Sequence, residues 1–189
     1  MTQTNSANQN APASPGATPP PPTRRSVWTA REKLARLAWT VLARPVWLLA
    51  PGMRPTLVRL FGGQVGRGCA LAGSAEITIP WHLRLGDDVR VGERVILYAL
   101  GPITIGDNTV LDYRAHLCAG THDMNDSRFP LIKAPITIGR GCLVGLDAYI
   151  GPGVTLGDDC RVWPRASVHK GAPAGARLVG NPARAEGSP

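Results

Sequence analysis

The sequence lacks the segments that would carry a chain into or across a membrane. Its first 25 residues contain no aliphatic side chain beyond alanine and no charged stretch followed by an apolar one, which argues against a secretory signal peptide. The one apolar run of note is interrupted by Arg44 and Pro45 and is shorter than the roughly 20 residues that a bilayer requires. We therefore expect a cytoplasmic protein, with the inner face of the membrane as its alternative position.

The start of the chain also lacks the apolar content of a packed core. It is crowded with Pro, Asn, Ser and Thr, so it cannot offset the entropy that ordering would cost. We predict a disordered, proline-rich tail over residues 1–25. The whole chain has 189 residues and is 43% hydrophobic, so the remainder is long enough to bury one sizeable core.

Acidic residues are scarce in the next segment. Residues 24–67 contain nine Arg or Lys and one acid, Glu32, whereas the chain after residue 67 has twelve of each sign. We predict a basic amphipathic helical segment over residues 26–61. Its tryptophans and arginines fit two arrangements: peripheral contact of residues 24–61 with an anionic membrane, or packing on its own domain with the arginines reaching water. No nucleic-acid recognition motif accompanies the charge, so no nucleic-acid partner is expected.

A repeat of six residues runs through the chain from residue 65 onward. It fits neither a helix, whose apolar spacing is near 3.6, nor one long strand, whose spacing is about 2. Gly, Ala or Asp commonly follows the repeated aliphatic, and four positions after it comes a small or β-branched residue such as Ala115 or Thr121. The aliphatic positions are Leu85, Val91, Leu97, Ile105, Leu111, Leu117, Ile138, Val144, Ile150, Leu156, Val162 and Val168.

Short strands joined by turns satisfy this repeat. We predict a three-sided prism in which each hexapeptide forms one face, the aliphatic fills the interior, the small residue fits near a corner and glycine permits the turn. Three hexapeptides then complete a coil of eighteen residues. Cys69, Cys142 and Cys160 fall on the small position, where we expect core packing, and a cytoplasmic location favours thiols over a disulfide.

Interruptions of the repeat indicate where the chain leaves the prism. The largest break, residues 123–135, predicts a loop with His122 at its root, and loops on rigid scaffolds commonly carry binding and chemistry. The repeat domain is predicted over residues 62–184, which leaves residues 185–189 as a C-terminal tail. Two smaller slips, which predict bulged corners, lie between Leu71 and Ile79 and between Leu97 and Ile105.

Seven stretches carry a resemblance to a known family: "FGGQVGRG", "IPWHLRLGDDV", "LYALGPITIGDNTV", "HLCAGTHDMND", "FPLIKAPITIG", "YIGPGVTLGDD" and "VGNPAR". In order and spacing they resemble the hexapeptide-repeat acyltransferases, most nearly the O-acetyltransferases of the colanic acid and exopolysaccharide type, related to maltose, galactoside and nodulation-sugar acetyltransferases. The resemblance implies an all-β, left-handed parallel β-helix, here preceded by a short α-helical segment, that assembles as a homotrimer.

The same resemblance implies an O-acetyltransferase with acetyl-CoA as co-substrate and a saccharide as acceptor, either an exopolysaccharide or a lipid-linked sugar. His122 matches the catalytic base, and an imidazole suits this role because a sugar hydroxyl is almost un-ionised at neutral pH. Trp81 and His82 fall at substrate positions, as does Asp123, which could instead orient the imidazole or cap a turn. The coenzyme is expected in a groove between neighbouring subunits, near Leu146, Pro164, His169, Lys170 and Arg184.

Departures from the family pattern leave two alternatives open. Relatives commonly carry small residues where this chain has Trp163, Pro164 and Arg165, so a non-catalytic scaffold that has lost the coenzyme is one alternative. The other is a gamma-class carbonic anhydrase-like zinc enzyme that would use His82, His116 and His122. Because His116 and His122 occupy equivalent positions on successive faces, their side chains should point apart, and we expect no metal.

Overall fold

The computed structural model describes residues 29–186 of the chain. The predicted tail over residues 1–25 lies outside the described residues, as do residues 26–28 and residues 187–189. Short helices come first and short strands follow. None of the helices within residues 29–186 is long and apolar enough to span a bilayer.

A run of short helical pieces precedes the strands, as the sequence predicts. It opens with a capping box, in which Thr29 Oγ1 accepts a hydrogen bond from the Glu32 backbone and the Glu32 carboxylate accepts one from the Thr29 backbone. The pieces are α1 (Ala30–Ala38), a π-helical turn (Trp39–Ala43), α2 (Arg44–Leu49), a 3₁₀ turn (Pro51–Met53) and α3 (Arg54–Leu60).

The strands stack into a three-sided parallel β-helix of about six coils. Each is only two or three residues long, because a corner interrupts the chain every few residues. In chain order they are β1 (Gln64–Val65), β2 (Ala70–Leu71), β3 (Glu76–Ile77), β4 (Leu83–Leu85), β5 (Arg90–Val91), β6 (Ile96–Tyr98), β7 (Ile103–Ile105), β8 (Val110–Leu111), β9 (His116–Cys118), β10 (Gly120–His122), β11 (Leu131–Lys133), β12 (Ile136–Ile138), β13 (Leu143–Val144), β14 (Tyr149–Ile150), β15 (Thr155–Leu156), β16 (Arg161–Val162), β17 (Ser167–Val168), β18 (Arg177–Val179) and β19 (Arg184–Ala185).

Three faces receive the strands in turn. The first face is β1, β4, β7, β12 and β15, the second is β2, β5, β8, β13, β16 and β18, and the third is β3, β6, β9, β14 and β17. Equivalent aliphatics align across the coils of a face, so that Leu85 pairs with Ile105, Ile105 with Ile138 and Ile138 with Leu156. These four side chains are at most 5% exposed. The predicted all-β prism with an aliphatic interior is confirmed.

The small-residue positions also point into the prism, with one exception. Cys142 and Cys160 are buried free thiols, and burial raises the pKa of the Cys142 thiol. Cys69 is half-buried. Thr121, which the repeat placed on a core position, is exposed because the chain has already left the stack.

The first slip in the repeat lies later than the sequence suggested. Ile77 aligns with Leu97, so the interval from Leu71 to Ile77 is a regular six. The two extra residues come between Ile77 and Leu85, where Pro80–His82 form a 3₁₀ turn. Ile79 is also buried, which explains the wrong choice between two nearby isoleucines.

This correction places every enlarged corner at one edge of the prism. We call it the wide edge: here the third face passes to the first face of the next coil, through residues 78–82, 98–102 and 118–135. We call the edge on the other side of the third face the narrow edge. There the second face passes to the third without insertions, as in residues 145–148 and 163–166. The scaffold therefore grows outward on one side only.

The glycines that follow the core aliphatics were predicted to permit the turns, but the structure shows a different reason for them. Their backbone does not need a positive φ; that conformation belongs to the residue two positions later, such as Asn108 with φ 56° or Asp159 with φ 58°. Instead the next coil lies too close for a side chain. A Cβ on Gly139 would stand 2.6 Å from the backbone nitrogen of Asp158.

The helical segment closes the open end of the stack. In later coils, the carbonyl of each core aliphatic accepts a hydrogen bond from the preceding coil, as Leu85 does from Gly66. The first coil has no predecessor, and an unpaired buried carbonyl is costly. Side chains of the helical segment supply the missing donors: Arg59 to Val65, Arg54 to Leu71 and Trp39 to Ile77, at 2.8 to 2.9 Å.

We expect Gly139→Ala to destabilise the fold by about 1–3 kcal/mol, the usual cost of overpacking, because its methyl group would meet backbone of the next coil. Gly52→Ala is the matched control, since nothing lies within 4 Å of the Cβ it would add. Thermal unfolding followed by circular dichroism measures both. Equal melting temperatures for the two variants would contradict the close coil spacing described here.

Candidate active site

The wide edge carries three of the four histidines that the sequence singled out, while His116 lies on the third face. His82 lies in its first corner, His122 begins the hairpin at the third, and His169 with Lys170 lies in the fifth. Coils stack at the spacing of neighbouring strands, about 4.8 Å, so these residues form one column along the edge. The enlarged corners give that column the only insertions of the stacked coils within residues 64–179.

The predicted loop over residues 123–135 is a hairpin with its own strand pair. Strands β10 and β11 run antiparallel, and His122 pairs with Leu131. At the tip, the Arg128 side chain donates hydrogen bonds to Asp126 and lowers the pKa of that carboxyl to about 2. The Asp123 carboxylate accepts from the backbone N–H of Asn125 at 2.9 Å, so it caps the turn.

The His122 ring is exposed and is oriented by a backbone carbonyl. Its Nδ1 lies 2.6 Å from the carbonyl oxygen of Phe129, across the hairpin. A carbonyl oxygen only accepts, so Nδ1 carries the hydrogen and Nε2 keeps its lone pair. Phe129 has a φ of 47°, an uncommon backbone conformation for a bulky residue, and this conformation accompanies a carbonyl directed at the imidazole.

His82 shows the same arrangement two corners earlier on the wide edge. It ends the 3₁₀ turn that Trp81 shares, and its Nδ1 lies 2.9 Å from the carbonyl of Ala99 in the next corner. The two rings of Trp81 and His82 meet edge to face, with centroids 6.3 Å apart. The Nε2 atom of His82 is therefore an acceptor beside a flat aromatic surface.

The predicted coenzyme residues do not meet within one chain. Leu146 and Pro164 lie on the narrow edge, where the backbone N–H of Arg165 donates to the Leu146 carbonyl. His169 and Lys170 lie on the wide edge, at the other side of the third face. The remaining residue, Arg184, belongs to β19, which closes the second face antiparallel to β18.

A cleft on the third face was missed by the sequence. Its volume is about 610 Å³, and its floor includes Glu76, Ile96, His116 and Tyr149. Burial lowers the pKa of His116, against a smaller opposing effect of Glu76, and its Nε2 is buried with no hydrogen-bond partner among the described residues. Burial, followed by a hydrogen bond with Cys118, raises the pKa of Tyr149 to about 12. The repeat could have predicted this cleft, because each floor residue directly precedes a third-face aliphatic and so points away from the core.

Within one chain the histidines do not converge as a zinc site would require. Across residues 29–186, no three His, Cys, Asp or Glu side chains are grouped so that they could hold a metal ion. His116 packs edge to face against Tyr149, with centroids 5.5 Å apart, while His82 and His122 bond to separate carbonyls. The arrangement gives no support to the carbonic anhydrase alternative.

Comparison with known proteins agrees with this fold. A family model described as the hexapeptide repeat of succinyl-transferase matches residues 82–112 and 135–162. The chain is 44% identical over 130 residues to WcaF of Escherichia coli (strain K12), whose name assigns it to colanic acid biosynthesis as an acetyltransferase; the match covers 69% of this chain and 71% of WcaF.

Two solved structures share the fold at lower identity. A maltose O-acetyltransferase from Clostridium difficile 630 superposes with a TM-score of 0.76 and 21% identity, covering 84% of this chain and 88% of that one. A hexapeptide-repeat acetyltransferase from Vibrio cholerae, complexed with acetyl coenzyme A, gives a TM-score of 0.76 and 22% identity, covering 83% and 88%. From the repeat, the β-helix and the likeness to WcaF, it follows that this chain belongs to the hexapeptide-repeat acetyltransferases.

Proposed function

We propose that the protein transfers the acetyl group of acetyl-CoA to a hydroxyl of a saccharide, either an exopolysaccharide or a lipid-linked sugar. The observation that carries the proposal is the hydrogen bond from His122 Nδ1 to the Phe129 carbonyl, which leaves Nε2 as a base at the exposed wide edge. The name of WcaF supports the saccharide class, and the acetyl-CoA bound by the Vibrio cholerae relative supports the donor.

The proposed reaction is a direct attack with His122 as general base. Nε2 takes the hydroxyl proton as the acceptor oxygen attacks the thioester carbonyl. Collapse of the tetrahedral intermediate breaks the carbon–sulfur bond, and the imidazolium returns the proton to the coenzyme A thiolate. The Phe129 carbonyl keeps the ring oriented throughout and stabilises the imidazolium through the Nδ1 hydrogen. Backbone N–H groups at a coil corner are the proposed donors to the oxyanion.

We place the acceptor sugar beside Trp81 and His82. The indole offers an apolar plane for a sugar ring, and His82 Nε2 accepts from a hydroxyl while its Nδ1 stays on Ala99. Asp123 uses one carboxylate oxygen to cap the hairpin turn, and we assign the other oxygen to an acceptor hydroxyl. Trp81 and His82 approach the base from the first corner, and Asp123 lies next to it in the same hairpin.

We propose that the coenzyme occupies a groove between two subunits of a homotrimer. Leu146 and Pro164 are separated from the wide edge by the third face, so they can share one groove with His122 only if they come from a neighbouring chain. The exposed cations of Lys170 and Arg184 suit the coenzyme phosphates, and His169, held by Ser167 at 2.9 Å, is the chain neighbour of Lys170. Trp163, 38% exposed, borders the groove near Leu146.

We expect His122→Asn to lower kcat by about 10²–10⁴-fold, the usual contribution of a general base. An asparagine amide can still donate to the Phe129 carbonyl, so the hairpin is kept while the base is lost. The measurement is release of the coenzyme A thiol from acetyl-CoA in the presence of mixed saccharides.

The matched control is Arg128→Gln, which changes the tip of the same hairpin and should keep turnover within about two-fold, because Arg128 only braces Asp126. Turnover by His122→Asn equal to wild type would remove the assignment of the base. Failure of the wild-type protein to release thiol with any acceptor would favour the non-catalytic scaffold instead.

Mixed trimers test whether the site lies between chains. His122→Asn and Leu146→Arg are each expected to be inactive, the second because an arginine at this exposed position blocks the groove. If the two residues come from different subunits, random co-assembly leaves roughly a quarter of the sites intact and restores that share of turnover. If both residues belong to one chain's site, no mixed trimer regains activity, and the proposal of a shared groove fails.

A further inference from the structure

The helical segment has a second side that its own domain does not cover. We call this the leucine face and define it by the exposed apolar side chains of α1, the π-helical turn and α2. Leu34, Leu37 and Val41 are spaced by three and four residues, and Leu48 follows Val41 by seven, so these side chains share one side of the helical run. Together with their neighbours Leu42 and Leu49 they are between 55% and 84% exposed. The members are Leu34, Leu37, Val41, Leu42, Leu48 and Leu49.

The opposite side of the same segment is fully used by the β-helix. The indole N–H groups of Trp39 and Trp47 donate to carbonyls of the first coil at 2.8 and 2.9 Å. Trp47 and Ala43 are 6% and 3% exposed. The segment is therefore fixed in orientation, and the leucine face cannot be buried against its own domain.

The charge around the leucine face is basic. Arg31 and Lys33 are exposed at its start. The one acid of residues 24–67 is Glu32, whose carboxylate already accepts from Thr29 in the capping box. An isologous contact with a second copy would bring this basic flank against itself, whereas an anionic surface neutralises it.

We propose that the leucine face lies flat on an anionic phospholipid bilayer, with its side chains in the acyl boundary and its basic flank on the headgroups. The helical segment packs against the start of the wide edge, since the Trp39 indole donates to the Ile77 carbonyl at 2.8 Å and Thr40 lines the same cavity as Thr78. Docking therefore brings the wide edge to the bilayer. This last step rests on the proposed function, and it favours a lipid-linked saccharide as the acceptor.

The test is co-sedimentation of the full chain with vesicles of phosphatidylglycerol and phosphatidylcholine, compared with vesicles of phosphatidylcholine alone. We expect binding only to the anionic vesicles, weakened by salt. The double variant Leu37→Gln, Leu48→Gln should lose at least about ten-fold in partitioning, because two leucines that enter the acyl boundary on binding are removed. Leu60→Gln, a leucine 73% exposed outside the leucine face, is the matched control and should bind as wild type.

Wild-type protein that stays in the supernatant with anionic vesicles would overturn the proposal, as would unchanged binding by the double variant. So would a fall in the oligomer mass of the double variant, since the leucine face would then contact a second copy. Turnover of a soluble saccharide without vesicles separates the two proposals. Wild-type protein that turns over the saccharide but does not bind anionic vesicles refutes membrane docking alone, and wild-type protein that binds them without any turnover refutes the proposed reaction alone.

Discussion

The stacking of coils at strand spacing is the constraint on which the rest of the structure depends. Each coil must present the same backbone groups and the same interior aliphatic as the coil beside it, as the aligned pairs Leu85 with Ile105 and Ile105 with Ile138 show. Side chains are excluded where coils touch, as at Gly139. Any insertion must therefore leave the stack at an edge. All the large insertions of the described coils leave at the wide edge, and the candidate site lies there for that reason.

The same constraint explains the helical segment. A stack of coils ends in unpaired carbonyls, and Arg54, Arg59 and Trp39 satisfy those of the first coil. The sequence offered membrane contact and domain packing as alternatives for this segment. The structure assigns Trp39, Trp47 and two of the arginines to packing, and it leaves the leucine face without cover among the described residues. One side of the helical run therefore caps the first coil, and the other side stays available for a further contact.

Much of the fold could be predicted because interior positions are dictated by geometry. The period of six identified the faces, the core aliphatics and the break after His122. It could not choose between Ile77 and Ile79, since both are buried aliphatics. It assigned the glycines to turns because close backbone approach is visible only once the coils are stacked. Thr121 was misplaced for a related reason: the repeat continues past the residue at which the chain departs.

The candidate site was predictable in its side chains but not in its backbone. A histidine at the root of an insertion was visible in the sequence, whereas the Phe129 carbonyl that orients it depends on the hairpin register and on one left-handed residue. Nitrogen-15 spectroscopy of the neutral imidazole rings, with the His122 signals assigned from His122→Asn, tests the central claim most directly. The account predicts a hydrogen on Nδ1 of His122 and none on Nε2. A ring that carries its hydrogen on Nε2 would contradict it.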